Sequence, residues 1–133
     1  MIRGLNHLTL AAKEPARTAR FYERALGARI ERVWPGGAYL SLGSLWLCLS
    51  TDEDAAPSAD YTHYAFDVHE ASFDAASERI RAAGARVWKE NRSEGQSLYF
   101  LDPEGHRLEL HTGDLVSRLA AMDSKERGER CPA

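Results

Sequence analysis

The order of predicted elements in this chain repeats. Residues 5–11, LNHLTLA, alternate: Leu8 and Leu10 share one face, and Leu5, His7, Thr9 and Ala11 the other. A helix opens at Pro15, which a first helical turn tolerates, and Gly27 stops it. It sets Ala16, Ala19, Tyr22 and Leu26 on one side. Strands over 29–34, 38–42 and 45–49 follow, broken at Pro35-Gly36-Gly37 and Gly43-Ser44. An acidic connector over 51–60, TDEDAAPSAD, leads to a second copy. That copy has a strand over 61–68, a helix carrying Phe73, Ala76, Ile80 and Ala83 and ended by Gly84, and strands over 86–89, 96–101 and 107–111. The chain therefore reads βαβββ, connector, βαβββ. Two copies of about 50 residues point to an α+β fold of paired modules.

One domain over 1–122 holds both modules, 3–50 and 61–111, and a C-terminal helix over 114–122 that Asp114 caps. The polar tail 123–133 is expected to be flexible. The 133 residues suffice for a real core. A net charge of -3 gives no footprint for nucleic acid. No stretch is long and apolar enough to span a membrane, and the N-terminus lacks a signal-peptide layout. Cys48 lies in an apolar strand and Cys131 in the tail, so they form no disulfide framework. A reduced, cytoplasmic setting is the simplest expectation.

Chemistry concentrates in residues 92–111, RSEGQSLYFLDPEGHRLELH. Asp102-Pro103-Glu104-Gly105 reads as a tight turn, with proline pre-setting one position and glycine closing it. In the strand after it, Leu108 and Leu110 point one way and Arg107, Glu109 and His111 the other. A strand glutamate is most often solvated, and a lone strand histidine is most often a satisfied core or surface residue. The repeat changes that weighing. His7 and His63 occupy matching places in the first strands of the two modules. Aligning Gly43-Ser44-Leu45-Trp46-Leu47 with Gly105-His106-Arg107-Leu108-Glu109 sets apolar Leu47 where module two has Glu109. Three ligands are then available: His7, His63 and Glu109. A His2Glu set leaves coordination positions open, as catalytic metal sites do, and suits zinc, manganese, iron or nickel.

The segments LNHLTLA, GAYLSLGSLWLCLS, DYTHYAF, WKENRSEGQSLYFLDPEGHRLELH and GDLVSRLAA cover the chain to about Met122. They resemble the vicinal oxygen chelate superfamily, and within it the glutathione-dependent fosfomycin resistance transferases. The resemblance implies a module-swapped homodimer with cup-shaped mixed sheets around each metal. Each site takes His7 from one chain and His63 and Glu109 from its partner. It implies manganese(II), a potassium ion, fosfomycin as substrate and glutathione as co-substrate. Lys89, Ser93, Tyr99 and Arg118 would hold the phosphonate, where arginine supplies a planar fork and lysine a point charge. Taken alone, Lys89 and Arg118 read as surface charges. Thr9 would hydrogen-bond near the oxirane oxygen, although by pattern it fills a β-branched position. Trp46, by pattern a core aromatic, becomes a wall of the pocket. Tyr39 falls near the glutathione thiol, where a phenol assists thiolate formation. Asn91, Gly95 and Ser97, with Glu94, would form the potassium site.

The chain departs from the family pattern after Met122, and Cys131 there reads as an exposed tail thiol. Rival readings separate on residues. A hydrolase of this family takes a carboxylate base from between the second and third strands, and Trp34-Pro35-Gly36-Gly37-Ala38 holds none. A glyoxalase wants a fourth ligand, which Leu47 denies. An iron(II) dioxygenase leaves the phosphonate set unexplained. A transferase using cysteine or bacillithiol has a similar metal site. A drug-sequestering module of the same fold lacks a complete triad.

Overall fold

The computed structural model describes residues 1–128. Cys131 and the end of the expected tail lie outside them. The elements are β1 (His7–Ala12), α1 (Pro15–Leu26), β2 (Arg29–Trp34), β3 (Gly37–Leu42), β4 (Leu45–Thr51), β5 (Tyr64–Asp67), α2 (Phe73–Ala82), β6 (Val87–Lys89), β7 (Ser97–Leu101), β8 (Arg107–His111) and α3 (Leu115–Glu126). A short 3-10 turn, Glu70–Ser72, leads into α2.

Both modules build the same sheet. The first runs β1-β4-β3-β2 and the second β5-β8-β7-β6. In each, the first strand pairs in parallel with the last, and the other pairings are antiparallel. The α+β paired-module expectation is therefore met. Alternation decides which face turns inward. Leu10, Leu40, Leu47 and Leu49 of one sheet and Leu98, Phe100, Leu108 and Leu110 of the other join a single core with α1 and α2. Ala19, Tyr22 and Ala25 of α1 and Ile80 of α2 are buried in it. The opposite sheet faces carry the polar and aromatic side chains.

Some boundaries differ from expectation. His63 precedes β5 instead of lying within it. α3 runs four residues past Met122, to Glu126. Asp114 caps it as expected: its side chain accepts from Ser117 N at 2.8 Å, and Ser117 Oγ accepts from Asp114 N at 3.0 Å. The helix stops where Gly128 takes φ +76°.

The modules are stapled at the turn before β8. Pro103 and Gly105 build it, with Gly105 N donating to Asp102 O at 3.0 Å. Asp102 Oδ1 also accepts from Glu104 N and His106 N. From module one, Tyr22 Oη donates to Asp102 Oδ2 at 2.8 Å, and Lys13 N to Glu104 Oε1 at 3.0 Å. His106 Nε2 donates to the Ala11 carbonyl at 2.7 Å. Burial, and then the Asp102 charge, push the Tyr22 phenol up. Burial also holds the Asp102 carboxyl above its usual range. Tyr22→Phe leaves Asp102 Oδ2 buried without this donor, a loss of about 1–3 kcal/mol. Calorimetry should show a Tm lower by roughly 5–10 °C, and an unchanged Tm would mean the staple holds nothing.

Candidate metal centre

Glu109 sits mid-strand in β8, 6% exposed, on the face opposite Leu108 and Leu110. His63 reaches it from the loop before β5, with Nε2 3.1 Å from Glu109 Oε1. That loop is locked by Asp60, whose Oδ1 accepts from Thr62 N at 2.9 Å, Thr62 Oγ1 at 2.6 Å and Ser58 Oγ at 2.8 Å. These donors, Thr62 foremost, lower the Asp60 carboxyl to about 2. Arg107 ties the same loop to β8 through the Ser58 and Asp60 carbonyls. His63 Nδ1 faces the Tyr61 carbonyl at 3.0 Å. A carbonyl only accepts, so Nδ1 holds a proton and Nε2 turns its lone pair toward Glu109. An oriented imidazole nitrogen facing a carboxylate oxygen fits a divalent cation between them.

An aromatic box surrounds the pair. The rings of Tyr61, Trp88 and Tyr99 stand 4.9, 5.6 and 6.1 Å from the His63 ring. Lys89 Nζ lies 4.8 Å over the Tyr61 ring and 4.9 Å over Tyr99, and donates to Tyr61 Oη. That bond is the main cause that raises the Lys89 pKa above the usual lysine value. A register irregularity between Val87 and Lys89 lets consecutive residues Trp88 and Lys89 both meet Tyr99.

The loop before β7 folds beside this box. Asn91 Nδ2 donates to Gly95 O at 2.9 Å, and Asn91 Oδ1 accepts from Ser93 N and Ser93 Oγ. Ser97 turns the other way and donates to Glu109 Oε2 at 2.7 Å. Arg118 of α3 approaches through Glu94, with Nε 3.4 Å from Oε1. His63, Glu109, Lys89, Ser93, Tyr99 and Arg118 thus all belong to module two and its flanking helix.

His7, Thr9, Tyr39 and Trp46 lie on the first sheet. His7 Nδ1 bonds Asn6 Oδ1 at 2.7 Å, and the His7 ring lies 4.5 Å from Trp46. Tyr39 stands 5.4 Å from Trp46 and 4.7 Å from Trp34. At 42% exposed, Trp46 is a surface wall and not the core aromatic its strand pattern suggests. Among the described residues, no three His, Cys, Asp or Glu side chains of one chain converge on a metal position.

The register corrects one expectation. Tyr39 pairs with Cys48 in module one as Tyr99 pairs with Glu109 in module two. The counterpart of Glu109 is therefore Cys48, not Leu47. Leu47 is in the core, one strand position and one face away. Module one still offers no fourth carboxylate. Tyr61 and Trp88 were not singled out from the sequence; Tyr61's place two residues before His63 was the available signal.

The profile of the Glyoxalase/Bleomycin resistance protein/Dioxygenase superfamily matches residues 4–110. The chain is 49% identical to the glutathione transferase FosA of Serratia marcescens, over 94% of this chain and 92% of that one. It is 35% identical to the metallothiol transferase FosB of Shouchella clausii, over 90% and 87% of the two chains. Its fold is similar to a fosfomycin resistance protein FosX from Listeria monocytogenes, complexed with manganese(II) and sulfate. That likeness has a TM-score of 0.80 at 32% identity and covers 90% of this chain and 98% of that one. By this match, and by two sheets that repeat one strand order, the chain belongs to the Glyoxalase/Bleomycin resistance protein/Dioxygenase superfamily.

Proposed function

We propose that the protein inactivates fosfomycin by adding glutathione to its epoxide, as a homodimer with sites shared between protomers. The observation that carries this reading is the His63–Glu109 pair at 3.1 Å, walled by Lys89 and Tyr99. His63 and Glu109, with His7 of a second protomer, would hold manganese(II). When bound, the cation supplies Lewis acidity toward the oxirane oxygen. Lys89 offers the phosphonate a positive charge from between two aromatic rings. Arg118 spends Nε on Glu94; among the described residues its two terminal nitrogens have no hydrogen-bond partner, which leaves them for phosphonate oxygens. Ser93 and Tyr99 add hydroxyls at the same edge. Oxygens of Asn91 and Gly95 would take potassium once the hydrogen bonds of the Asn91 side chain open, and Ser97 Oγ would offer its remaining lone pair while keeping its bond to Glu109. Thr9 would orient the oxirane oxygen, Trp46 would close the pocket, and Tyr39 would donate its phenolic hydrogen bond to the glutathione sulfur, assisting thiolate formation.

The shared site is supported by where the first sheet ends. β1 and β5 are both edge strands, each with one side unpaired in its sheet. A cavity of about 830 Å³ lies along both, lined by Leu5, Leu8, Leu45, Tyr64 and Phe66. Edge pairing with a second copy would cover it and bring His7 to a partner's His63 and Glu109.

Likeness to FosX does not bring hydrolysis with it. Only Pro35 and Gly36 separate β2 from β3, and a Cβ on Gly37 would sit 2.2 Å from the Leu49 carbonyl. Identity to a glutathione transferase exceeds that to a metallothiol transferase, 49% against 35%, which favours glutathione over other thiols. Phosphorus NMR of fosfomycin with metal-stripped protein, then manganese and potassium, then each thiol tests the reading. A new phosphonate signal should need both manganese and glutathione. Product without thiol would mean hydrolysis; bound but unchanged fosfomycin would mean a sequestering protein.

A further inference from the structure

We infer that His111, through Ser97, is a positioning residue for the metal-facing carboxylate of Glu109. The inference rests on the proposed metal centre. His111 is on the same face of β8 as Glu109, and its Nδ1 lies 2.6 Å from Ser97 Oγ. Ser97 Oγ lies 2.7 Å from Glu109 Oε2. An ionised carboxylate only accepts, so the Ser97 proton goes to Glu109. Ser97 must then accept, and the proton on that bond belongs to His111 Nδ1. The chain of donation runs His111 to Ser97 to Glu109. It engages Oε2 and leaves Oε1 turned to His63.

The far side of the ring is built with equal care. His111 Nε2 stands 3.7 Å from Glu94 Oε1, the oxygen that Arg118 Nε and Ser117 Oγ approach at 3.4 and 3.3 Å. A Cβ on Gly113 would come within 2.7 Å of both His111 Nε2 and Glu94 Oε1, and one on Gly95 within 3.1 Å of His111 Cε1. Two bare glycines make room for this imidazole. The His111 and Glu94 side chains are 15% and 13% exposed. The network joins the metal carboxylate on β8 to the phosphonate arginine on α3. Outer hydrogen bonds of this kind orient a ligand and raise its affinity for metal.

Three variants test it: His111→Phe, His111→Asn and His111→Gln. Asparagine places an amide N–H where Nδ1 stood and keeps the bond to Ser97. Glutamine reaches toward Glu94 and loses that bond. Phenylalanine loses both. Manganese affinity is read by electron paramagnetic resonance of the free ion, with no turnover needed. His111→Phe and His111→Gln should weaken binding by about 10–100-fold, and His111→Asn by no more than about threefold. Should His111→Phe fail to fold, the asparagine–glutamine contrast decides. Equal affinities in those two, or wild-type affinity in His111→Phe, overturn the inference alone. A wild-type protein that takes up no manganese overturns the proposed centre, and the inference with it.

Discussion

Glu109→Gln should lower manganese affinity at least about a hundredfold, because outer partners of a ligand alone are worth about 10–100-fold. Turnover of fosfomycin with glutathione should fall to background. The substitution conserves size, so the loss has two electrostatic causes. It removes the negative charge that a divalent cation requires of a mixed nitrogen and oxygen site. It also replaces one acceptor oxygen by an NH2 group. Glu109 receives Ser97 Oγ on one oxygen and faces His63 Nε2 with the other. Glutamine can accept from Ser97 with its oxygen and then turns its amide N–H to His63 Nε2, where it occupies the lone pair that would otherwise bind the metal. Manganese titration and phosphorus NMR read the two effects separately. Retained metal affinity would place the centre elsewhere. Retained fosfomycin binding without metal would favour the sequestering reading.

Mixing two inactive variants should restore activity. His7→Ala and Glu109→Gln would each form dead homodimers. A mixed dimer has one site built from the intact His7 of one protomer and the intact His63–Glu109 pair of the other. Its second site carries both lesions. Random reassortment puts about half of the chains in mixed dimers, each with one good site, for about a quarter of wild-type activity. Co-expression with two affinity tags isolates the mixed species, which should show about half. If all three ligands came from one chain, neither kind of dimer would recover anything. The outcome ranges from background to a quarter, so the measurement is not delicate.

Much of this could be read from the chain because its elements obey simple periods. The repeat gave every strand and both internal helices in the right order, and it paired His7 with His63 before either had a partner. What escaped follows from places where the period breaks. Trp88 and Lys89 are consecutive, and alternation assigns them to opposite faces; the irregular β6–β7 register brings both to Tyr99. The Leu47–Glu109 alignment slipped by one because it counted from the glycines before each strand, while hydrogen-bond register is set by Tyr39 and Tyr99. α3 outlasted its apolar residues, since Arg127 N and Gly128 N still find the Asp123 and Lys125 carbonyls and the glycine ends the turn. The Tyr22–Asp102 staple spans 80 residues, a distance over which no local pattern speaks.

The open edges of β1 and β5 have a consequence for a cell that carries this gene. If a complete site needs an edge from each of two copies, a lone protomer has no catalytic power. At concentrations below the dissociation constant, the number of working sites rises with the square of the amount of chain. A modest increase in gene copies would then yield a disproportionate gain in drug clearance.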